Sequence, residues 1–309
     1  MDYFDLHCDT LYECLMQNVS LKRNRLAVSI AAGRKFSRWC QTMAVWIPDG
    51  LAPGQSYALF RETLENGRKE WNREKKEVTL CVSAASMENA LLQGRSPLLL
   101  SVEGGTVLEG KLSNVVRLHR AGVRMLTLTW NGENALAGGC LSDGELTSFG
   151  RQVIKEMNRL SMMVDLAHLN DKSFWAALPL CRYPLSSHTG SRRINRHPRN
   201  LTDEQFLGLC RQGGIVGLSF YPVFLGEGNV FEQFYRHLYH FLELGGQEHL
   251  AVGSDFDGAD MSPDLSSLEQ TPRLWEYLLG KNLDEGLLRK FFWENGANFY
   301  TKVLTKSPG

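Results

Sequence analysis

A (β/α)8 TIM barrel, an α/β fold, is what this sequence predicts, on three observations. Short apolar runs alternate with amphipathic segments through all 309 residues. The runs are rich in Val, Leu and Ile and mostly lack polar–apolar alternation, as strands buried on both faces of a parallel sheet do. No glycine-rich phosphate loop follows the first run, which argues against the rival doubly wound open sheet. No internal repeat, low-complexity tract or linker interrupts the chain, so residues 1–309 read as a single barrel domain.

The elements follow in order. Strands are expected at 3–7, 42–47, 98–103, 124–129, 162–167, 183–187, 215–220 and 250–254, with a further short run at 78–82. Helical periodicity marks 55–71, 112–121, 149–160, 202–212 and 230–244. Thr202 with Gln205 three residues on reads as a helix start, and Gly213-Gly214 as its stop. The polar, basic stretch 20–38 reads as a long loop or short helix.

Lys plus Arg equals Asp plus Glu, 34 each, so the chain lacks the clustered positive charge of a nucleic-acid-binding protein. The basic run 192–199 is a local exception; its place directly after His188 makes it a candidate active-site loop. No apolar run reaches membrane-spanning length, the first residues lack a basic n-region and h-region, and 302–309 has no hydrophobic tail for a lipid anchor. Seven scattered cysteines without a CxxC pair suit reduced thiols, so the expected setting is cytoplasmic, with no membrane partner.

In a barrel, chemistry belongs at the carboxyl ends of the strands. His7 and Asp9 lie two apart at the first strand end, where residues i and i+2 share a side. An imidazole and a carboxylate suit zinc and its first-row neighbours. Cys8 between them should face the other way and be structural. The remaining ends carry Glu103, Trp130-Asn131, Asp165 with His168, His188, Tyr221 and Asp255. Asp165 is open to two readings, orienting a ligand from behind or capping a loop. Asp257 reads as structural. His119, His197, His237, His240 and His249 lack such a context and are expected on helix surfaces or loops. Gly104-Gly105 after Glu103 are expected to leave room for metal and substrate.

Asp5-Leu6-His7-Cys8-Asp9-Thr10, Val102-Glu103-Gly104-Gly105, Leu126-Thr127-Leu128-Thr129-Trp130-Asn131, Val164-Asp165-Leu166-Ala167-His168, Ser186-Ser187-His188-Thr189 and Gly253-Ser254-Asp255-Phe256-Asp257-Gly258 occur in that order. From residue 3 to about residue 300 the chain resembles the membrane (renal) dipeptidase family, the M19 metallopeptidases of the amidohydrolase superfamily. The resemblance implies a (β/α)8 barrel of the metal-dependent hydrolase type with a binuclear site, two Zn2+ per chain; the same ligands accept other divalent first-row metals. His7 and Asp9 would bind the first zinc, Glu103 would bridge both, and His168 and His188 would bind the second. Asp255 would handle the proton of the metal-bound water, and Arg199 would hold the substrate's carboxylate. Trp130 stands where mammalian members carry a substrate-binding histidine; an indole donates one N–H and neither accepts nor titrates, and Asn131 or a neighbour would cover part of that role.

Physical chemistry supports these roles. Two metals can share a hydroxide, lower its pKa and polarise a scissile carbonyl. A carboxylate beside it can pass a proton to the leaving amine. A guanidinium grips a free carboxylate in bidentate fashion, which favours very short peptides. The expected function is a zinc-dependent dipeptidase acting on small dipeptides, with tolerance of a C-terminal D-residue as a family trait. The alternatives are an amidohydrolase of the same fold acting on another amide, an N-acyl amino acid or a lactone, and a catalytically decayed metal-binding protein. Homodimers are common in the family, and the aromatic segment 231–239 reads either as an interface or as packing on the barrel.

Overall fold

The computed structural model describes residues 1–305 and so leaves out the last four residues of the C-terminal segment. Its strands are β1 (Asp2–Cys8), β2 (Arg38–Trp46), β3 (Val78–Leu80), β4 (Ser96–Glu103), β5 (Val123–Thr127), β6 (Met163–Asp165), β7 (Pro184–Thr189), β8 (Ile215–Leu218) and β9 (Leu250–Val252). All pairings are parallel, in the order β2-β1-β9-β8-β7-β6-β5-β4-β3, and β2 also pairs with β4 from Gln41↔Leu98 to Trp46↔Glu103. That last pairing closes a ring. β3 pairs only with Ser96, Pro97 and Leu98 at the start of β4, so eight of the nine strands form the barrel and β3 is an appendage.

The strands fall where the apolar runs place them. β6 and β9 stop earlier than their runs because the chain leaves the ladder there. His168 (φ 69°) and Asp255 (φ 66°), just beyond them, adopt the left-handed conformation. Helices Gln55–Arg73, Ser113–Ala121, Ser148–Arg159, Asp203–Arg211 and Val230–Glu243 match the expected ones. The Thr202–Gln205 capping box forms, with Gln205 N on Thr202 Oγ1 at 3.2 Å and Thr202 N on Gln205 Oε1 at 2.9 Å. Gly213 (φ 67°) supplies the left-handed stop. Helices Thr10–Met16, Ala84–Leu92, Asp171–Ala177, Thr271–Gly280 and Asn295–Leu304 were not legible in the sequence. The stretch 20–38 is mostly loop, with one short helix, Ile30–Gly33. No helix among the described residues is long and apolar enough to cross a membrane.

One apolar cluster takes a residue from every barrel strand: Phe4, Cys40, Leu99, Met125, Met163, Leu185, Ile215 and Ala251. Helix Asn295–Leu304 packs into it through Phe299, Tyr300, Val303 and Leu304. The Phe4 and Tyr300 rings lie 5.2 Å apart, and Tyr300 OH meets Thr42 Oγ1 at 3.1 Å. The barrel is thus filled with hydrocarbon on the side that helix covers. The polar residues gather at the carboxyl ends of the strands.

β7, β8 and β9 pack almost backbone to backbone. A Cβ at Gly217 would lie 2.0 Å from the Ser187 carbonyl oxygen, and one at Gly253 would lie 1.8 Å from it. Gly253→Ala should therefore destabilise the fold by about 1–3 kcal/mol or more through overpacking. Thermal unfolding checks this, and an unchanged melting temperature would mean that β7 gives way freely.

Candidate metal centre and substrate cavity

Five side chains from the ends of four strands, β1, β6, β7 and β9, converge on Glu103, which ends β4. His7 Nε2 lies 3.2 Å from Asp9 Oδ2, 3.4 Å from Glu103 Oε2 and 3.9 Å from Asp255 Oδ1. On the other flank His168 Nε2 lies 2.6 Å and His188 Nε2 3.5 Å from Glu103 Oε1. Two triads able to hold a cation share Glu103: His7 with Asp9, and His168 with His188. A third joins His7, His188 and Asp255. All these groups are buried.

The hydrogen bonds behind the rings decide which nitrogen faces the centre. Asp165 Oδ2 accepts from the hydroxyls of Thr127 and Ser187, each at 2.6 Å. Its Oδ1 accepts from the backbone N–H groups of Ala167 (3.1 Å) and Ser187 (3.0 Å). Ser187 has spent its proton on Asp165, so its oxygen can only accept from His188 Nδ1, at 2.8 Å. His168 Nδ1 in turn donates to Asn131 Oδ1 at 2.9 Å. Both rings therefore turn an Nε2 lone pair inward, and those two atoms lie 2.9 Å apart. Asp165 is thus an orienting residue behind His188, and its loop-capping bonds to Ala167 and Ser187 serve the same end.

Such a packing of lone pairs repels itself unless a cation lies among them. The residues fit a metal on that count, and on a second: His7 Nδ1 and Asp9 Oδ1 are buried with no hydrogen-bond partner. The titrations show the same conflict. Burial lowers His7, but the carboxylates of Asp9 and Glu103 outweigh it and hold the ring well above its ordinary range. Burial and Arg199 push His168 down to about 4, and burial with His7 holds His188 well below its usual value. Burial raises Asp9 to about 6 and Asp255 to about 8, the neighbouring carboxylates adding to it in both.

Above the centre opens a cavity of about 710 Å³. Arg199, from the loop after β7, lines it and is only 6 % exposed. Its Nη2 donates to the His188 carbonyl at 3.2 Å and its guanidinium lies 5.0 Å from the Phe224 ring, while its Nε has no partner. Trp130 lines the cavity too. Asn131 does as well, but its oxygen is occupied by His168 and by Cys140 Sγ at 3.3 Å, so it acts on the ring from behind. Sequence reasoning missed Tyr12, Trp46 and Cys140, which also face the cavity. Trp46 at a strand end was the available signal; Tyr12 lies in the short helix Thr10–Met16 and Cys140 in a turn, and neither carries one. Gly258 was missed as well: a Cβ there would lie 2.3 Å from Asp9 Oδ2 and 2.8 Å from Asp255 Oδ1.

Several expectations change. Gly104 and Gly105 do not open space for a ligand. Added Cβ atoms there would meet the carbonyl oxygens of Ile47 (2.7 Å) and Leu128 (2.4 Å), so these glycines let β2 and β5 close in beside Glu103. His119 and His237 are on helices but buried. His237 Nδ1 accepts from Ser191 N at 2.8 Å and its Nε2 meets the Leu225 carbonyl at 3.0 Å, tying the Arg199 loop to the next one. His197 stands in the cavity wall. Cys8 points away as expected, its Sγ on Thr42 O at 3.6 Å. Asp257 is structural: it takes Thr10 Oγ1 at 2.6 Å and Ala27 N at 2.7 Å, pinning the 20–38 loop.

A divalent cation entering this cluster displaces protons from His7 and from Asp9, which titrates at about 6. Stabilisation by added Zn2+ should therefore grow as the pH rises from about 5 to about 8. Melting temperatures with and without metal check this; equal shifts at both ends would place the ion elsewhere.

The model of the family described as Membrane dipeptidase (Peptidase family M19) matches residues 1–305. An uncharacterized protein in the pqqA 5' region of Klebsiella pneumoniae is 31% identical over 231 residues, 70% of this chain and 85% of that protein. A metallo peptidase from Rhodobacter sphaeroides, solved with a phosphinate mimic of the dipeptide L-Ala-D-Ala, superposes with a TM-score of 0.90 at 23% identity, over 98% of this chain and 99% of its own. The dipeptidase AC, also a metallo peptidase of family M19, superposes with a TM-score of 0.92 at 23% identity, over 99% of both chains. These two likenesses show the barrel, and the family match over nearly the whole sequence shows the lineage. The chain belongs to the membrane dipeptidase family, peptidase family M19.

Proposed function

We propose that this chain is a zinc-dependent dipeptidase. His7 and Asp9 would hold one ion and His168 and His188 the other, with Glu103 shared between the two groups. The observation that carries this reading is the division of the Glu103 carboxylate, with Oε2 toward His7 (3.4 Å) and Oε1 toward His168 (2.6 Å). When bound, the two Zn2+ supply Lewis acidity and a water activated for attack on a carbonyl. The residues around them supply position and proton traffic. Cations bound beside Asp255 would oppose the burial that raises it to about 8 and keep it a carboxylate, whose Oδ1, at the edge of the cluster, would take the proton of the attacking water and deliver it to the nitrogen of the departing amino acid. Arg199 is a buried cation in the cavity wall whose Nε has no partner, which suits the free carboxylate of a dipeptide and rejects a chain that continues past that point. The dipeptide mimic held by the Rhodobacter sphaeroides relative supports the substrate class, including a D-residue at the carboxyl end.

The reading is tested by hydrolysis of L,L and L,D dipeptides by zinc-loaded protein with and without chelator. Chelator-sensitive cleavage is expected. Turnover of N-acyl amino acids or lactones with no dipeptide cleaved would overturn it in favour of another amidohydrolase activity. Asp255→Asn should cut turnover by about 100-fold or more while bound metal, measured by elemental analysis, is retained. Arg199→Ala should raise KM by roughly 30-fold or more, the order expected when a buried charge pair is lost; an unchanged KM would remove the clamp.

A further inference from the structure

We propose that Tyr12, Trp46 and Trp130 form the subsite for the side chain of the substrate's amino-terminal residue, and that this subsite selects a large apolar or aromatic one. The proposal rests on the dipeptidase reading above and names its substrate class.

The ring of strands sets the direction. β2 and β7 stand opposite each other, with β1, β9 and β8 between them on one side and β4, β5 and β6 on the other. Arg199 follows β7, and Trp46 ends β2. A dipeptide with its carboxylate on Arg199 and its peptide bond over Glu103 has one residue left, and that residue extends toward β2. The wall it meets is aromatic. The Trp46 ring meets Trp130 edge-on at 5.0 Å and 71°, and Tyr12 meets Trp46 edge-on at 4.9 Å and 81°. Edge-to-face rings at this spacing reinforce one another and present a continuous hydrocarbon face. Trp46 Nε1 is buried without a partner, so ring packing rather than a hydrogen bond holds this indole in the wall.

Size and charge narrow the choice. About 710 Å³ is within the range of cavities that hold drug-sized ligands, so a bulky side chain fits beside a two-residue backbone. Glu13, next to Tyr12 in the cavity lining, disfavours an acidic side chain there. A glycine in the first position would leave the wall uncovered and forgo the apolar contact.

The test measures kcat/KM for zinc-loaded protein on Phe-, Leu-, Gly- and Glu-first dipeptides that share one second residue. It is run on the parent, on Trp130→Ala and on Trp130→Phe. The Phe-first to Gly-first ratio should be about 10-fold or more in the parent, in line with what apolar side-chain contacts contribute to discrimination. It should fall toward unity in Trp130→Ala and be largely kept in Trp130→Phe, with the Glu-first substrate poorest in the parent. Each ratio is taken within one protein, so differences in folding yield or metal loading cancel. A parent ratio near unity, or one that survives Trp130→Ala, overturns the subsite and leaves the dipeptidase reading intact. Cleavage of no dipeptide by protein that holds its metal overturns both.

Discussion

Lone pairs forced together around Glu103 are the constraint on which the rest of this structure depends. Two imidazole nitrogens 2.9 Å apart, both turned inward, and a carboxylate oxygen 2.6 Å from one of them would drive a small peptide apart. Here they are delivered by separate strands of a closed barrel. Each strand is held by two neighbours, so no end can retreat without breaking its ladder. A slip of one residue in any strand would turn its ligand to the other face. The barrel thus spends packing stability to hold an arrangement that a cation relieves, which is how a fold comes to favour metal binding.

The division of the barrel interior makes this possible. Beneath the site, side chains from every barrel strand join Tyr300 and its helix in a dry cluster that resists distortion. Above it the strands end in left-handed turns at His168 and Asp255, a conformation that costs energy for residues other than glycine and that clusters at functional sites. The close approach of Gly217 and Gly253 to the Ser187 carbonyl belongs to the same design, because Ser187 links Asp165 to His188. Packing at the backbone, a buried carboxylate and one hydroxyl together decide which nitrogen of His188 faces Glu103.

The cavity over the centre is lopsided in chemistry. A buried guanidinium follows β7 and interlocked aromatic rings stand across from it, with the acidic and imidazole cluster between. Trp130 belongs to that aromatic wall through its edge-on contact with Trp46.

Much of this was legible in the sequence. The alternation of apolar runs with amphipathic segments implied the barrel, because buried parallel strands need continuous hydrocarbon and their crossovers need one apolar face. His7, Asp9, Glu103, His168, His188 and Asp255 could be singled out because a barrel gathers its strand ends at one mouth. What the linear order could not supply is anything made by neighbours across the ring. The strand ladder brings Asp165 of β6 beside Ser187 of β7, which resolves the two readings left open for Asp165. Contact with β2 and β5 turns Gly104 and Gly105 from presumed ligand space into backbone packing sites. The meeting of Tyr12, Trp46 and Trp130 joins residues after β1, β2 and β5. Residue type and period along one strand are local properties, whereas a ring's tautomer, a glycine's neighbour and the lining of a cavity are set by atoms far away in the chain, and only closure of the barrel brings those atoms within reach.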